Sequence, residues 1–207
     1  MTRQRKSLAS SALELAVIVG TAVLIAIGVQ AFVIKPYKIP SGSMEPTLHV
    51  NQRILVDRIG THFGNPQVGD IIVFHPPASY TEGCANSDEG AATGSPDAKA
   101  CDVVGAKESS ETFVKRVVGV GGDRISIAGG HVIRNGVREQ DAYIATCAGA
   151  GACDFRGTIT VPKGDYFMMG DNRGESDDSR FWGPIPRKWI IGQAFFTYWP
   201  PDRLGFL

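Results

Sequence analysis

From Leu15 to Ile34 the chain is apolar at almost every position, with no charged residue and Gln30 as the only strongly polar one. At 1.5 Å per residue, about 20 such residues cross a hydrocarbon core. A run apolar on every face has no polar side to turn to water, so it reads as a membrane span and not as a surface helix. Beyond Pro36 the pattern changes to short alternating stretches separated by glycine and proline. These predict strands at Arg53 to Asp57, Ile71 to His75, Phe113 to Val118, Arg124 to Ile127, His131 to Arg134, Thr158 to Val161, Tyr166 to Met169 and Ile190 to Trp199. Gly129-Gly130 and Asn135-Gly136 read as tight turns. The predicted fold is mostly β: one N-terminal transmembrane helix followed by an antiparallel β-sheet domain. The section from Pro76 to Glu111, rich in Ala, Gly, Ser and Asp, reads as a surface insertion outside the core.

Charge orients this arrangement. Arg3, Arg5 and Lys6 precede the span, which predicts a short basic cytoplasmic segment (1–11), an anchor (12–35) and an extracytoplasmic domain (36–207) in a cell membrane. A cleaved leader is the competing reading, because Val29-Gln30-Ala31 resembles a small-x-small cleavage site; the apolar run, however, continues past it. Lys and Arg total 21, as do Asp and Glu, so no overall field favours nucleic acid. The four cysteines, Cys84, Cys101, Cys147 and Cys153, all follow the span. Three disulfide pairings are possible; Cys84 with Cys101 and Cys147 with Cys153 would close the shortest loops. No C-x-x-C or histidine pair accompanies them, which argues against a metal site.

Three blocks carry candidate chemistry. In TFVKRVVGVGGD, strand parity puts Lys115 between Phe113 and Val117 on one face, with Val114 and Arg116 on the other. A lysine held among apolar neighbours loses hydration, which disfavours the ammonium form. Working as a base near neutral pH requires a fall of roughly 3 units from about 10.4. IPSGSMEPTL places Ser41 and Ser43 in an irregular segment just beyond the span, and a neutral lysine can accept a serine's proton. GDNRGESDDSRFWGPIP reads as a rigid polar loop with Asp171, Arg173, Asp178 and Arg180. His49, His62, His75 and His131 are isolated and no G-x-S-x-G occurs, so no histidine triad competes.

IPSGSMEPTL, GDIIVF, FVKRVVGVGGD and GDNRGESDDSRFWG, in this order behind an apolar span, closely resemble the sequence boxes of bacterial type I signal peptidases. The resemblance implies a membrane-anchored serine endopeptidase that removes signal peptides from exported preproteins after an A-x-A site, with no metal or cofactor. It implies Ser43 as nucleophile, Lys115 as general base, the Ser41 hydroxyl with the Ser43 N–H as oxyanion hole, and Ser176 as the serine that hydrogen-bonds and orients the lysine. Asp178 with Arg180, and Asp171 with Arg116, match the supporting polar pairs. The segment around Tyr37 to Pro40 and the strand at Val114 would pair with the substrate backbone, with Ile39, Met44 and Val114 walling its pockets. Gly174-Glu175 stands where relatives often have Asp-Asn. The partners expected are signal peptides and the lipid bilayer, with no nucleic acid. Two other readings stand beside this one: a processing peptidase of narrow substrate range, and an anchored β-domain that binds exported chains without cutting them.

Overall fold

The computed structural model describes residues 8–82, 84, 99–147 and 153–207. Helix α1 spans Leu8–Phe32, and its stretch from Ser11 to Gly28 has a mean hydropathy of 2.2 with no residue buried. It is long and apolar enough to cross a membrane. The helix ends two residues before the apolar run does. Ile34 and Lys35, expected within the anchor, open strand β1 (Ile34–Lys38) instead, because Pro36 cannot continue a helix and is tolerated on an edge strand. The basic segment ahead of residue 8 lies outside the described residues.

The remaining elements are β2 (Arg53–Asp57), a one-turn α2 (Gly60–Phe63), β3 (Ile71–Phe74), β4 (Phe113–Val120), β5 (Arg124–Ala128), β6 (His131–Arg134), β7 (Val137–Arg138) and β8 (Phe155–Thr160). They are followed by β9 (Asp165–Met169), α3 (Ser179–Trp182), β10 (Ile185–Pro186), β11 (Ile190–Trp199) and β12 (Gly205–Phe206). Every strand expected from the alternation is present. β1, β7, β10 and β12 go unsignalled because two-residue strands and a proline-containing edge carry no period. An eight-stranded sheet runs β1-β2-β11-β3-β4-β9-β10 with β12 on β11, and a four-stranded sheet runs β7-β6-β5-β8. The pairings are antiparallel.

The large sheet is buried on both faces. Ile71 and Val73 of β3 point into a cluster with Ile39, Met44, Leu48, Ile54 and Val56, while Ile72 and Phe74 point into another with Val117, Met168, Trp182 and Trp189. This is the period-2 alternation with both sides covered. A third cluster joins the sheets, packing Val118, Phe167 and Met169 against Ile125, Val132, Phe155 and Ile159.

The section expected as a surface insertion is tied into the body at the ends that are described. Ala100 and Cys101 are buried, the Cys101 N–H donates to the Arg180 carbonyl (2.9 Å), and Cys101 is disulfide-bonded to Cys84. Cys147 bonds Cys153, so the shortest-loop pairings are the ones formed. The reason for the burial is the turn after α3. Gly183 has φ +90°, and a Cβ there would lie 2.0 Å from the Val103 carbonyl oxygen, so the insertion's backbone packs directly onto it. Gly183→Ala must therefore both strain the backbone and displace residues 101–103, and we expect a loss of about 2 kcal/mol or more. Thermal unfolding followed by near-UV circular dichroism in detergent checks this; an unchanged midpoint would refute the packing.

Candidate active site

Ser43 sits in a single 3-10 turn, Gly42–Met44, within a loop closed by Ile39 N–H to Gln52 O (2.8 Å) and Asn51 N–H to Ile39 O (2.8 Å). Met44, 1% exposed, and Leu48 pin the turn into the core beneath it. The polar loop after β9 straps the turn from the other side. Asn172 N–H donates to the Ser43 carbonyl (3.1 Å) and its side-chain amide donates to the Gly42 carbonyl (3.3 Å). Gly170 is required here, since a Cβ would lie 2.3 Å from the Ser43 carbonyl oxygen and 2.2 Å from Ser176 Oγ.

Strand β4 brings Lys115 to this turn. Its register pairs Lys115 with Ile72 of β3, and its Nζ lies 2.6 Å from Ser43 Oγ, within hydrogen-bonding distance. The side chain is 4% exposed, with Nζ 5.7 Å from the Phe113 ring centroid. Burial lowers its pKa from 10.5 to about 8; Asp178 and Asp177 oppose the shift and Arg180 assists it. The Ser41 and Ser43 hydroxyl oxygens are 3.5 Å apart. A serine hydroxyl, an amine whose lowered pKa lets it take that hydroxyl's proton once deprotonated, and a second hydroxyl beside them constitute the parts for nucleophilic acyl transfer.

Two buried ion pairs brace the site. Asp178 accepts from Arg180 Nε (2.7 Å) and Nη2 (2.8 Å) and from the Gly170 N–H (3.0 Å), and it caps α3. Its burial favours the neutral acid, but the Arg180 charge and hydrogen bonds hold the carboxyl below its usual range. On the opposite face of β4, Arg116 forks onto Asp171 at 2.9 and 2.7 Å and stacks 4.1 Å over the Tyr143 ring. Thr47 adds a third donor to Asp171 (2.5 Å), tying the Ser43 loop to the same carboxylate. Arg173, fully buried, donates to the Gly170 and Gly130 carbonyls.

Ser176 departs from what the resemblance implies. Its Oγ is buried with no hydrogen-bond partner among the described residues, lying over Gly170; the hydroxyl that Lys115 contacts is that of Ser43.

A groove of about 420 Å³ opens over the pair, lined by Ile39, Pro40, Ser41, Gly42, Ser43 and Met44 on one side and Glu111 to Lys115 on the other, with Glu175 and Asp177. Ile39, Pro40, Met44 and Val114 are thus all in its wall. Tyr37 is not: it belongs to β1, paired opposite Ile54 of β2, and its ring packs on the core beside Ile39. β9 starts pairing with β4 only at Arg116, so the edge of Phe113–Lys115 away from β3 carries no strand among the described residues. Asn172, Thr47, Tyr143, Asp177 and Glu111 were not singled out from sequence, and Glu175 was noted only as a departure from relatives. Asn172, Asp177 and Glu175 lie in a polar block where nothing in the spacing distinguishes a strap from a solvated loop.

The family model described as "Signal peptidase, peptidase S26" matches residues 12–199. A signal peptidase I of Leptolyngbya laminosa is 38% identical over 91% of this chain and 80% of its own length. A probable signal peptidase I-2 of Synechocystis is 35% identical over 94% and 77%, and a signal peptidase I of Mycobacterium tuberculosis is 36% identical over 93% and 74%. A crystal structure of an Enterococcus faecalis signal peptidase I aligns at 23% identity with a TM-score of 0.37, over 63% of this chain and 97% of its own, a superposition too loose to argue from. The match over nearly the whole chain, joined to a buried lysine on a serine hydroxyl, places the chain in the signal peptidase family of serine peptidases, peptidase S26.

Proposed function

We propose that this chain is a membrane-anchored signal peptidase that cuts exported preproteins after a small-x-small site through Ser43 and Lys115. The observation that carries the reading is the 2.6 Å contact between Ser43 Oγ and a lysine amine that burial brings to a pKa of about 8. Neutral Lys115 takes the Ser43 proton as Oγ attacks the scissile carbonyl carbon. The Ser41 hydroxyl and the Ser43 N–H donate to the developing oxyanion. Collapse breaks the C–N bond, and the leaving amine takes the proton back from the Lys115 ammonium. Lys115 then deprotonates a water that attacks the acyl-enzyme ester, and Ser43 recovers its proton as the acid leaves.

The substrate enters as an added strand along the free edge at Phe113–Lys115, facing Pro40 to Gly42, with small side chains directed to the apolar floor of Ile39, Met44 and Val114. Helix α1 holds the groove near the bilayer: Ser43 is 11 residues beyond Phe32, the end of α1, at most about 40 Å even fully extended. In the orientation proposed here, the basic N-terminus is cytoplasmic and the β domain extracytoplasmic.

Purified full-length protein in detergent is expected to cut a preprotein bearing an A-x-A site directly after the final small residue, as read by sequencing the product N-terminus. Ser43→Ala and Lys115→Ala are expected to abolish the cut while remaining folded; activity retained by either sinks the assignment. Cleavage of several unrelated preproteins separates general from narrow processing.

The free-enzyme profile of kcat/KM is expected to rise about tenfold per pH unit on the acid side and to bend near pH 8 as Lys115 loses its proton. A profile flat from about pH 6 to 9 would exclude Lys115 as the base.

Because the folded pKa of Lys115 lies below its unfolded value, the unfolded chain binds more protons between about pH 8 and 10.5, and stability rises with pH through that window. Below it the buried charge costs about 3 kcal/mol. Lys115→Met should therefore be inactive yet unfold at a higher temperature than wild type at about pH 7, the two midpoints converging as pH rises through that window.

A further inference from the structure

The groove carries a charge pattern that acyl transfer does not use. Glu111, Glu175 and Asp177 line it, and all three are exposed. None forms a salt bridge with another described residue, whereas Asp171 and Asp178 just beneath are each neutralised by an arginine. Lys115 is the single basic residue among those lining the groove, and it lies buried against Ser43.

The three carboxylates are not equivalent. The Asn172 amide bridges the Gly42 carbonyl (3.3 Å) and Glu175 Oε2 (3.2 Å), so Glu175 is held at the Ser43 end of the groove. Asp177 stands next to Ser176 at the Lys115 end; although its side chain reaches solvent, partial desolvation against the groove wall and the nearby Asp178 push its carboxyl up to about 6, so it is ionised where Lys115 becomes neutral. Glu111 precedes Lys115 by four residues, in the bend before β4 begins at Phe113. The free edge of β4 and the Ser43–Lys115 contact point independently to a peptide lying between these groups.

We propose that Glu175 and Asp177 select substrates by charge, favouring a Lys or Arg beside the scissile bond and disfavouring an Asp or Glu there. This rests on the peptidase reading of the same groove. The two carboxylates act on a substrate side chain and not on the reacting atoms, so the effect falls on the comparison between substrates. The chain as a whole balances 21 basic against 21 acidic residues, so the selectivity comes from this local pair and not from a global field.

The test uses the full-length protein in detergent and three peptides that share one A-x-A site and differ only in Lys, Gln or Glu at a residue flanking the cut, scanned over the positions on each side. At about pH 8 and low salt, kcat/KM is expected to fall in the order Lys, Gln, Glu at one or more flanking positions, with roughly tenfold or more between the extremes. The spread should contract at about 0.5 M salt. In a Glu175→Gln, Asp177→Asn double variant the Lys-to-Glu ratio should collapse towards one, whatever the absolute rate; taking a ratio at one pH cancels any change in the Lys115 proton affinity. Equal rates for the Lys and Glu peptides at every position, or a ratio preserved in the double variant, would overturn the proposal. A Gln peptide left uncut by wild type, or cut as well by Ser43→Ala, would instead overturn the peptidase reading beneath it, and the proposal with it.

Discussion

An amine withdrawn from water is the constraint around which the rest of this domain is arranged. Lys115 lies within 2.6 Å of a hydroxyl, and its proton affinity depends on what surrounds it. Burial drives it towards neutrality, but a carboxylate free to pair with it would reverse that. Asp178 is the acid whose field acts on it most strongly, and Asp178 is already occupied by Arg180 and the Gly170 N–H. The buried Asp178–Arg180 pair thus fixes the shape of the loop and keeps its own negative charge from claiming the lysine. Such pairs contribute little to stability compared with apolar packing; here the Arg180 charge offsets part of the pull that Asp178 exerts on the lysine's proton.

The loop after β9 serves both faces of β4. It sends Asp171 to Arg116 on one face and Asp178 towards Lys115 on the other, while Asn172 holds the Ser43 turn. Because β9 pairs with β4 only from Arg116 onward, the departing loop leaves the preceding strand edge open where the groove lies. One local feature, the point at which a strand stops pairing, therefore positions the polar network and creates room for a peptide.

Both disulfides sit against this network. Cys101 packs near Gly183 at the end of α3, two residues after Phe181 and three after Arg180. Cys147 lies over Gly130, whose carbonyl accepts from Arg173 and whose N–H donates to the Cys153 carbonyl (2.7 Å). Ala145, close to the same bridge, donates to the Asp171 carbonyl (2.9 Å). The bridges close short loops of 17 and 6 residues' separation, so their effect is to hold local backbone against the loop carrying Asp171 to Arg180.

The span, the β class and the strands with clear alternation were legible in the sequence, because burial on one face or two imposes a period that composition alone displays. The Ser43, Lys115, Asp171 and Asp178 blocks stood out through their resemblance, taken in order, to the boxes of a known family; any one of them alone carries little signal, because a strand lysine or a polar loop is ordinarily a solvated feature. Ile34 joining a strand, Tyr37 falling outside the groove's lining and Cys101 entering the core were not legible. Each depends on which element arrives from elsewhere in the chain: β2 beside β1, or the α3 turn beneath the insertion. Nor could sequence distinguish Asp178, neutralised by Arg180, from Asp177, left facing the groove. The two are adjacent and chemically identical, and only tertiary structure, through burial and the placement of one guanidinium, gives them different work.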